Sequence, residues 1–378
     1  MKTPITEMLG CEFPLLAFSH CRDVVVAVSK AGGFGVLGAL NHTPESIEIE
    51  LKWIDDHIDG KPYGVDVVFA ENLATSGETG LTYGALKSRV PERHRAFTAD
   101  LLAAAGVDAI ASQVSDDRAP PFDHESAAEV LRVAFRHPIR LIANALGVPP
   151  KAMIDMGHEH GVPVAALIGS REHAIRQVNA GVDILVCQGT EAGGHCGEVT
   201  TMVLVPEVLR SVKPIKPEVA VLAAGGIMTG QQMAAAMAMG ADGVWTGSVW
   251  LATPESGVSQ VIIDKFIEAS SRDAVRTKAR TGKPCRQLRS AWTEAWERSP
   301  ESPGALPMPL QSMISENALR SIERSAEAGN PKARDMVTSL VGQGVGLIEG
   351  VRSSGQIVQD FKAEFLDAVE RMNGLLGD

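Results

Sequence analysis

Val162-Pro163-Val164-Ala165-Ala166-Leu167-Ile168 and Asp183-Ile184-Leu185-Val186 are short apolar runs, and the segment 170–180 between them reads as a helix ended by Gly181. Strand, helix and strand in this order form the unit of a parallel α/β sheet. The second run feeds into Cys187-Gln188-Gly189-Thr190-Glu191-Ala192-Gly193-Gly194-His195-Cys196-Gly197, which places four glycines within nine residues. Glycine adopts positive φ and lets backbone approach a ligand closely, at a cost in chain entropy. A loop that accepts this cost directly after a buried strand is the expected form of a site loop. His195 is its one imidazole, and imidazole moves protons near neutral pH. The plainer alternative is a glycine-rich turn with an incidental surface histidine.

The same unit recurs in both directions. Upstream, strands are expected at 13–18, 34–40 and 63–69, with helices at 23–31 (Asp23 as N-cap) and from Thr43-Pro44 to about Asp59. Asp66 sits in the middle of the third strand. A buried carboxylate needs partners, so the alternative there is a solvated strand end. Residues 71–137 are less regular. They read as a loop over 71–84, helices at 85–106 and 125–136, a weak strand at 107–111 and a loop at 116–121. An excursion of this length is either a lid or surface decoration. Regularity returns with a strand at 139–144 and a helix at 149–160. Beyond the glycine loop come a helix at 205–211, a strand at 219–224, a helix at 229–239 and a strand at 242–246.

About eight strands alternating with helices favour an α/β (β/α)8 TIM barrel over a doubly wound sheet. The Gly-x-Gly-x-x-Gly dinucleotide fingerprint is absent after strand one. Helices are expected at 262–270, 309–328, 331–340 and 359–375, and no strand is evident after Pro254. The expected organisation is a barrel over 1–255, including an insertion at 71–137 after strand 3. A mainly helical region over 256–378 would then pack on the barrel and beside its mouth.

With 378 residues, 45% apolar and 21% charged, the composition is that of a globular enzyme. A net charge of −11 and the lack of basic runs argue against nucleic acid. No apolar run is long enough to span a bilayer, and the first residues lack a signal-peptide core. Five scattered cysteines give neither a disulfide framework nor zinc spacing. A cytoplasmic protein without a metal site is the expectation. His20, His42, His57, His158 and His160 read as surface residues.

In barrels of this class the functional loops follow the strands. Ala224-Gly225-Gly226-Ile227-Met228-Thr229-Gly230 runs into a helix N-terminus, and Thr246-Gly247-Ser248 makes a tight loop at the next strand end. Backbone N–H groups there suit a phosphate; close helix packing is the alternative use of the glycines.

These residues resemble the phosphate-binding half of FMN-dependent barrels. A more specific resemblance is to the nitronate monooxygenase family, also called nitropropane dioxygenases. It rests on Gln188-Gly189-x-Glu191-Ala192-Gly193-Gly194-His195-x-Gly197, Ala224-Gly225-Gly226-Ile227 and Gly240-Ala241-Asp242-Gly243-Val244. Ala27-Val28-Ser29-x-Ala31-Gly32-Gly33-x-Gly35 fits upstream, and Thr281-Gly282-Lys283-Pro284-Cys285-Arg286 and Gly342-Gln343-Gly344-Val345-Gly346 fit downstream.

The resemblance implies a non-covalent FMN across the barrel mouth. Gln188 and Gln343 would contact its ring, and Gly225-Gly226 with Gly247-Ser248 would hold its phosphate. The backbone near Ala17 and Phe18 would line it, beside Gly193 and Gly194. His195 matches the family's catalytic histidine. Asp66 stands where members often carry Asn, and Leu16-Ala17-Phe18 where they usually carry Ala-Pro-Met. The implied activity is oxidation of alkyl nitronates with O2, on a small-molecule substrate. The alternative is an NAD(P)H-dependent reductase of a quinone, an enoyl thioester or a steroid-derived CoA substrate. More remote is a flavin-free phosphate-binding isomerase or aldolase, for which no strand-end lysine or carboxylate pair is evident. Cys196 and Cys285 are candidate redox thiols. The late helices offer surface for a homo-oligomer.

Overall fold

The pleat of each strand sorts its side chains into two sets, and that sorting closes the sheet. In this computed structural model, which describes residues 1–40, 42–71, 73–78, 81–108 and 123–376, the first nine strands are short. They are β1 (Leu15–Ser19), β2 (Phe34–Gly38), β3 (Tyr63–Val67), β4 (Leu141–Asn144), β5 (Val164–Ile168), β6 (Ile184–Gln188), β7 (Gly194–His195), β8 (Ala220–Ala224) and β9 (Gly243–Thr246). All except β7 pair in parallel as a closed barrel in the order β1-β2-β3-β4-β5-β6-β8-β9, and Leu16 opposite Trp245 closes the ring. The protein is a (β/α)8 TIM barrel.

One set of strand side chains, including Leu16, Phe34, Leu141, Ile184 and Leu222, fills the barrel. The other, including Leu15, Val65, Ile142, Leu185 and Val221, packs on the surrounding helices. The helix Pro4–Leu9, not evident in the sequence, starts with a capping box between Thr3 and Thr6. Its Ile5 and Leu9 join the interior cluster with no exposure. Because the chain passes from this helix into the start of β1, it plugs the N-terminal end of the barrel.

Several boundaries differ from the sequence reading. The expected helix 85–106 is two, Tyr83–Ser88 and Glu92–Ala104, because Pro91 disfavours helix at Val90. Asp23 is not a cap; Cys21 holds the N-cap position of Arg22–Lys30. The helix Thr201–Val212 begins before Val205 and runs through Pro206. Val107 and Asp108 are not in a strand; the rest of that expected strand, and the loop 116–121, lie outside the described residues.

The insertion after β3 is tied to the C-terminal region. Tyr83, Leu86 and Val90 share a cluster with Leu306 and Met313, and Asn330 Nδ2 donates to Ala105 O at 2.9 Å. That region contains two strands as well as helices: β10 (Ala274–Thr277) and β11 (Cys285–Leu288) form a hairpin, and β11 also pairs with β7. Ala-Val-Arg-Thr and Cys-Arg-Gln-Leu lack an alternating apolar pattern, which is why they were not evident as strands. The final helix, Ser354–Leu376, starts earlier than expected because the Glu255 carboxylate accepts from Ser354 N at 3.1 and 3.2 Å.

Leu9→Ala, by opening a cavity at the barrel floor, should cost about 3 kcal/mol of stability. Chemical denaturation would measure it, with activity per folded molecule unchanged because the floor lies at the opposite end from the loops described below.

Candidate active site

The C-terminal ends of the strands form the mouth. Interior-facing positions there are Phe18, Gly38, Asp66, Gln188 and Trp245. Phe18 is half-buried, with its ring 6.4 Å from Trp245 in a stack and 5.1 Å from His20 edge-on. Ala17 has the opposite pleat and is buried among the outer set, so only its backbone reaches the mouth. Asp66 is 2% exposed, and its Oδ1 has no hydrogen-bond partner. Burial alone pushes its carboxyl up to about 8.

The glycine loop after β6 is built on one threonine. Thr201 Oγ1 lies 2.9 Å from Glu191 Oε2, 3.0 Å from Ala224 O and 3.1 Å from Gly225 O. Glu191 also accepts from Thr201 N at 3.0 Å. It thereby supplies the cap that Thr200 does not give to the helix Thr201–Val212. Glu191 is thus a clamp joining the β6 loop to the β8 loop. A Cβ on Gly193 would lie 2.8 Å from Gly342 N, so glycine there lets the C-terminal segment touch the loop main chain. Gln343 N donates to Glu191 O at 2.8 Å, and Gly342 N to Ser248 Oγ at 2.8 Å.

His195 is set by the short β7–β11 pairing, with Cys285 opposite His195 and Arg286 opposite Gly194. Arg286 Nε donates to Thr190 O at 2.9 Å and holds the base of the loop. His195 Nδ1 lies 3.2 Å from Pro284 O. A carbonyl only accepts, so Nδ1 carries the proton and Nε2 presents a lone pair. Burial, aided by the charge of Lys283, lowers its pKa from 6.5. At neutral pH the side chain is therefore a neutral imidazole. The neighbouring thiols stay protonated: burial pushes Cys285 up to about 11 and raises Cys196. Neither is a thiolate nucleophile at neutral pH.

The expected anion pocket is only partly available. Thr229 Oγ1 accepts from Gln232 N, and the carboxylate of Glu364 on the last helix accepts from Gly230 N at 2.7 Å. The N-terminus of the helix Gly230–Ala238 is therefore already capped. The N–H groups of Gly225, Gly226, Gly247 and Ser248, by contrast, donate to no other described residue. Gly225 and Gly226 have φ of 105° and 71°. Close packing also demands glycine at 225, where a Cβ would sit 2.8 Å from Thr201 Oγ1. Open space lies where a Cβ would be on Gly194 and Gly247.

At the end of β1 stands His20, whose link to Arg280 sequence reasoning missed. His20 Nδ1 lies 3.0 Å from Gly38 O, so it too donates from Nδ1. Arg280, in the β10–β11 connection, pairs bidentately with Glu316 at 2.9 and 3.0 Å. Its charge, after burial, lowers the pKa of His20. The same connection sends Lys283 Nζ to Glu71 O at 2.9 Å. It therefore arches from the β6 loop toward the segments after β1 and β3. The position of His20 directly after strand one was the available signal.

The structure thus gathers Phe18, Asp66, Gln188, Gly193, Gly194, His195, Gly225, Gly226, Gly247, Ser248 and Gln343 around one end of the barrel. Residues 7–364 match the family model described as nitronate monooxygenase. The chain belongs to the nitronate monooxygenase family. It is 49% identical, over the full length of both chains, to the Mycobacterium tuberculosis (strain ATCC 25618 / H37Rv) protein named "Putative monooxygenase Rv1533". Among solved structures it is similar to FabK from Thermotoga maritima (28% identity, TM-score 0.72, 99% of each chain covered). It shares its fold with a nitroalkane oxidase from Streptomyces ansochromogenes (24% identity, TM-score 0.77, 98% of this chain and 100% of that one). It is an oxidoreductase of the nitronate monooxygenase type. Among the described residues no helix is long and apolar enough to cross a membrane.

Thr201→Val keeps the shape of the clamp and removes its hydroxyl. The loss of a buried hydrogen-bond donor to Glu191 and two carbonyls should cost about 1–3 kcal/mol, read as a lower midpoint in urea.

Proposed function

We propose that this chain is an FMN-dependent oxidoreductase that oxidises alkyl nitronates with O2, with His195 as its acid–base group. One observation carries the reading. Nδ1 of His195 is committed to Pro284 O, and the free Nε2 lone pair sits on a glycine loop at the barrel mouth.

The residues fit a flavin mononucleotide. Four unengaged N–H groups at Gly225, Gly226, Gly247 and Ser248 suit its phosphate. The side-chain amides of Gln188 and Gln343 have no hydrogen-bond partner among the described residues and suit its ring. Asp66 supplies a buried, unpaired oxygen at the same level. FMN, when bound, accepts two electrons and returns them to O2. The protein's part is to orient the substrate and move the proton. A neutral His195 can take the proton from the carbon beside a nitro group, and the resulting imidazolium offsets the charge of the nitronate.

A second reading, an NAD(P)H-dependent reductase of a larger substrate such as a quinone, an enoyl thioester or a steroid-derived CoA, draws on His20 and Arg280. They add polar groups near the end of β1. They also lie beside Leu16-Ala17-Phe18, where the family's usual Ala-Pro-Met is absent.

Anaerobic mixing of purified protein with an alkyl nitronate in one cuvette and NAD(P)H in another, followed by flavin absorbance, separates the readings. Bleaching by nitronate supports the first. Bleaching by NAD(P)H alone supports the second, and protein that cannot be loaded with FMN overturns both. His195→Asn should slow turnover of the neutral nitroalkane about 10²- to 10⁴-fold. The base works when unprotonated, and its pKa lies below 6.5. Hence kcat/KM for the nitroalkane should be level above neutral pH and fall as pH drops through that pKa. An acid limb that persists unchanged in His195→Asn would assign the titration elsewhere.

A further inference from the structure

Asp66 is the single Asp, Glu, Lys, Arg or His on the barrel's strands, all of which are described. Its pleat directs it inward: Gly64, two residues before it, faces Leu141 and Phe34 of the interior cluster. Its register partners are the small residues Gly38 on β2 and Ala143 on β4; the rings of His20 and Phe18 occupy the space beside Gly38, and Asp66 lies beneath them with 2% of its surface exposed. Asn144, at the end of β4, points the other way and binds Phe69 N and Gly147 O.

The charged and titratable groups around the mouth are all engaged elsewhere. His20 lies on Gly38 O, Arg280 on Glu316, Lys283 on Glu71 O and His195 on Pro284 O. None of them acts on Asp66, whose shift has burial as its sole cause. A carboxylate with neither cation nor donor in an apolar barrel is far costlier than the acid.

We propose that Asp66 stands in the barrel mouth as a neutral carboxylic acid and donates a hydrogen bond to an acceptor atom of the bound flavin, so that raising the pH weakens cofactor binding. The inference rests on the FMN reading above. It explains how Asp serves where family members often carry Asn: the protonated acid, like the amide, offers a donor group and an acceptor on the same frame.

The sign follows from linkage. In the flavin-free protein Asp66 loses its proton near pH 8. In the complex the donated bond holds that proton to higher pH. Between those two values affinity falls by up to about tenfold per pH unit. An ionised Asp66 would instead accept from a ring N–H, and affinity would not fall through this range.

The experiment is titration of FMN into the flavin-stripped full-length chain, by flavin fluorescence, at half-unit steps from pH 6 to 9.5. Wild type and Asp66→Asn are compared, and both carry the flavin's own titrations, so their ratio isolates residue 66. The expected result is comparable Kd values up to pH 7, then a ratio that widens about tenfold or more by pH 9.5 in favour of Asn. Parallel curves, or wild-type affinity that gains on the variant as pH rises, would overturn the proposal.

Melting of the flavin-free chain tests neutrality separately. Asp66 keeps its proton in the folded chain to about 8 and loses it near 3.8 unfolded. Its contribution to stability is therefore fully present below 3.8 and is lost as pH rises toward 8. The Tm advantage of Asp66→Asn should grow from pH 5 to pH 8; a constant gap would overturn the neutral acid. Should that gap grow while neither protein binds FMN at any pH, the flavin reading fails and the donated bond with it, but the neutral acid stands.

Discussion

Two residues of β7 lying antiparallel to β11 make the site depend on both halves of the chain. The barrel alone delivers a glycine loop whose main chain has many accessible conformations. Pairing with Cys285 and Arg286 fixes Gly194 and His195, and Pro284 O then selects the proton-bearing nitrogen. The close approach of Gly193 to Val341 and Gly342 adds a second point of attachment. A side chain at 193 would push the C-terminal segment off the loop and carry Gln343 away with it. The placement of His195 and attachment of the C-terminal region are therefore one structural problem, solved by backbone contact.

The clamp beneath this pairing is polar and nearly dry. Glu191, Ala224 O and Gly225 O each lie within hydrogen-bonding distance of Thr201 Oγ1, joining the loops after β6 and β8 at the first turn of a helix. Two carbonyls and a carboxylate share one hydroxyl proton and one backbone N–H, which leaves little slack: shifting any member leaves another unsatisfied. The β8 loop that bears Gly225 and Gly226 is thereby held at a fixed distance from His195. The cap on the next helix by Glu364 extends the same logic to the last helix of the chain. That carboxylate takes Gly230 N at the helix N-terminus for internal use, while the N–H groups of Gly225, Gly226, Gly247 and Ser248 donate to no other described residue.

The barrel was legible because period, spacing and punctuation agreed. Val162–Ile168 and its counterparts are apolar runs bounded by helices with readable ends, such as Thr43-Pro44 and Asn330-Pro331. Both of those caps are present, accepting from Ser46 N and from Lys332 and Ala333 N. The glycine loop, His195 and the strand-end glycines could be found because a barrel dictates where loops after strands converge. What stayed hidden depends on distant pairing. β11 is Cys-Arg-Gln-Leu, polar in composition and buried only because helices and loops close over it. Glu364 carries no local signal, yet it caps a helix that starts at Gly230, 134 residues earlier, and Glu191, part of the quoted motif, caps the helix that begins at Thr201. His20 is exposed, in keeping with its reading as a surface histidine, but nothing nearby in sequence announces Arg280, 260 residues later, whose charge acts on it.

The cations at the mouth are already matched within the chain. Arg280 is matched by Glu316, and Lys283 is spent on Glu71 O beside the Glu71 carboxylate, which partly restores the lysine's lowered pKa. Desolvation, with a nearby cation adding to it, lowers the pKa of both imidazoles, and each donates from Nδ1 to a main-chain carbonyl. On each ring Nε2 is thus left as the lone-pair nitrogen. Such a site would meet a neutral, weakly acidic C–H substrate without first having to discharge a bound counter-ion. It would develop positive charge only once a proton has been taken, when an anion is there to be held. A permanent cation at either position would bind an anion more tightly at the start and leave no base to form one.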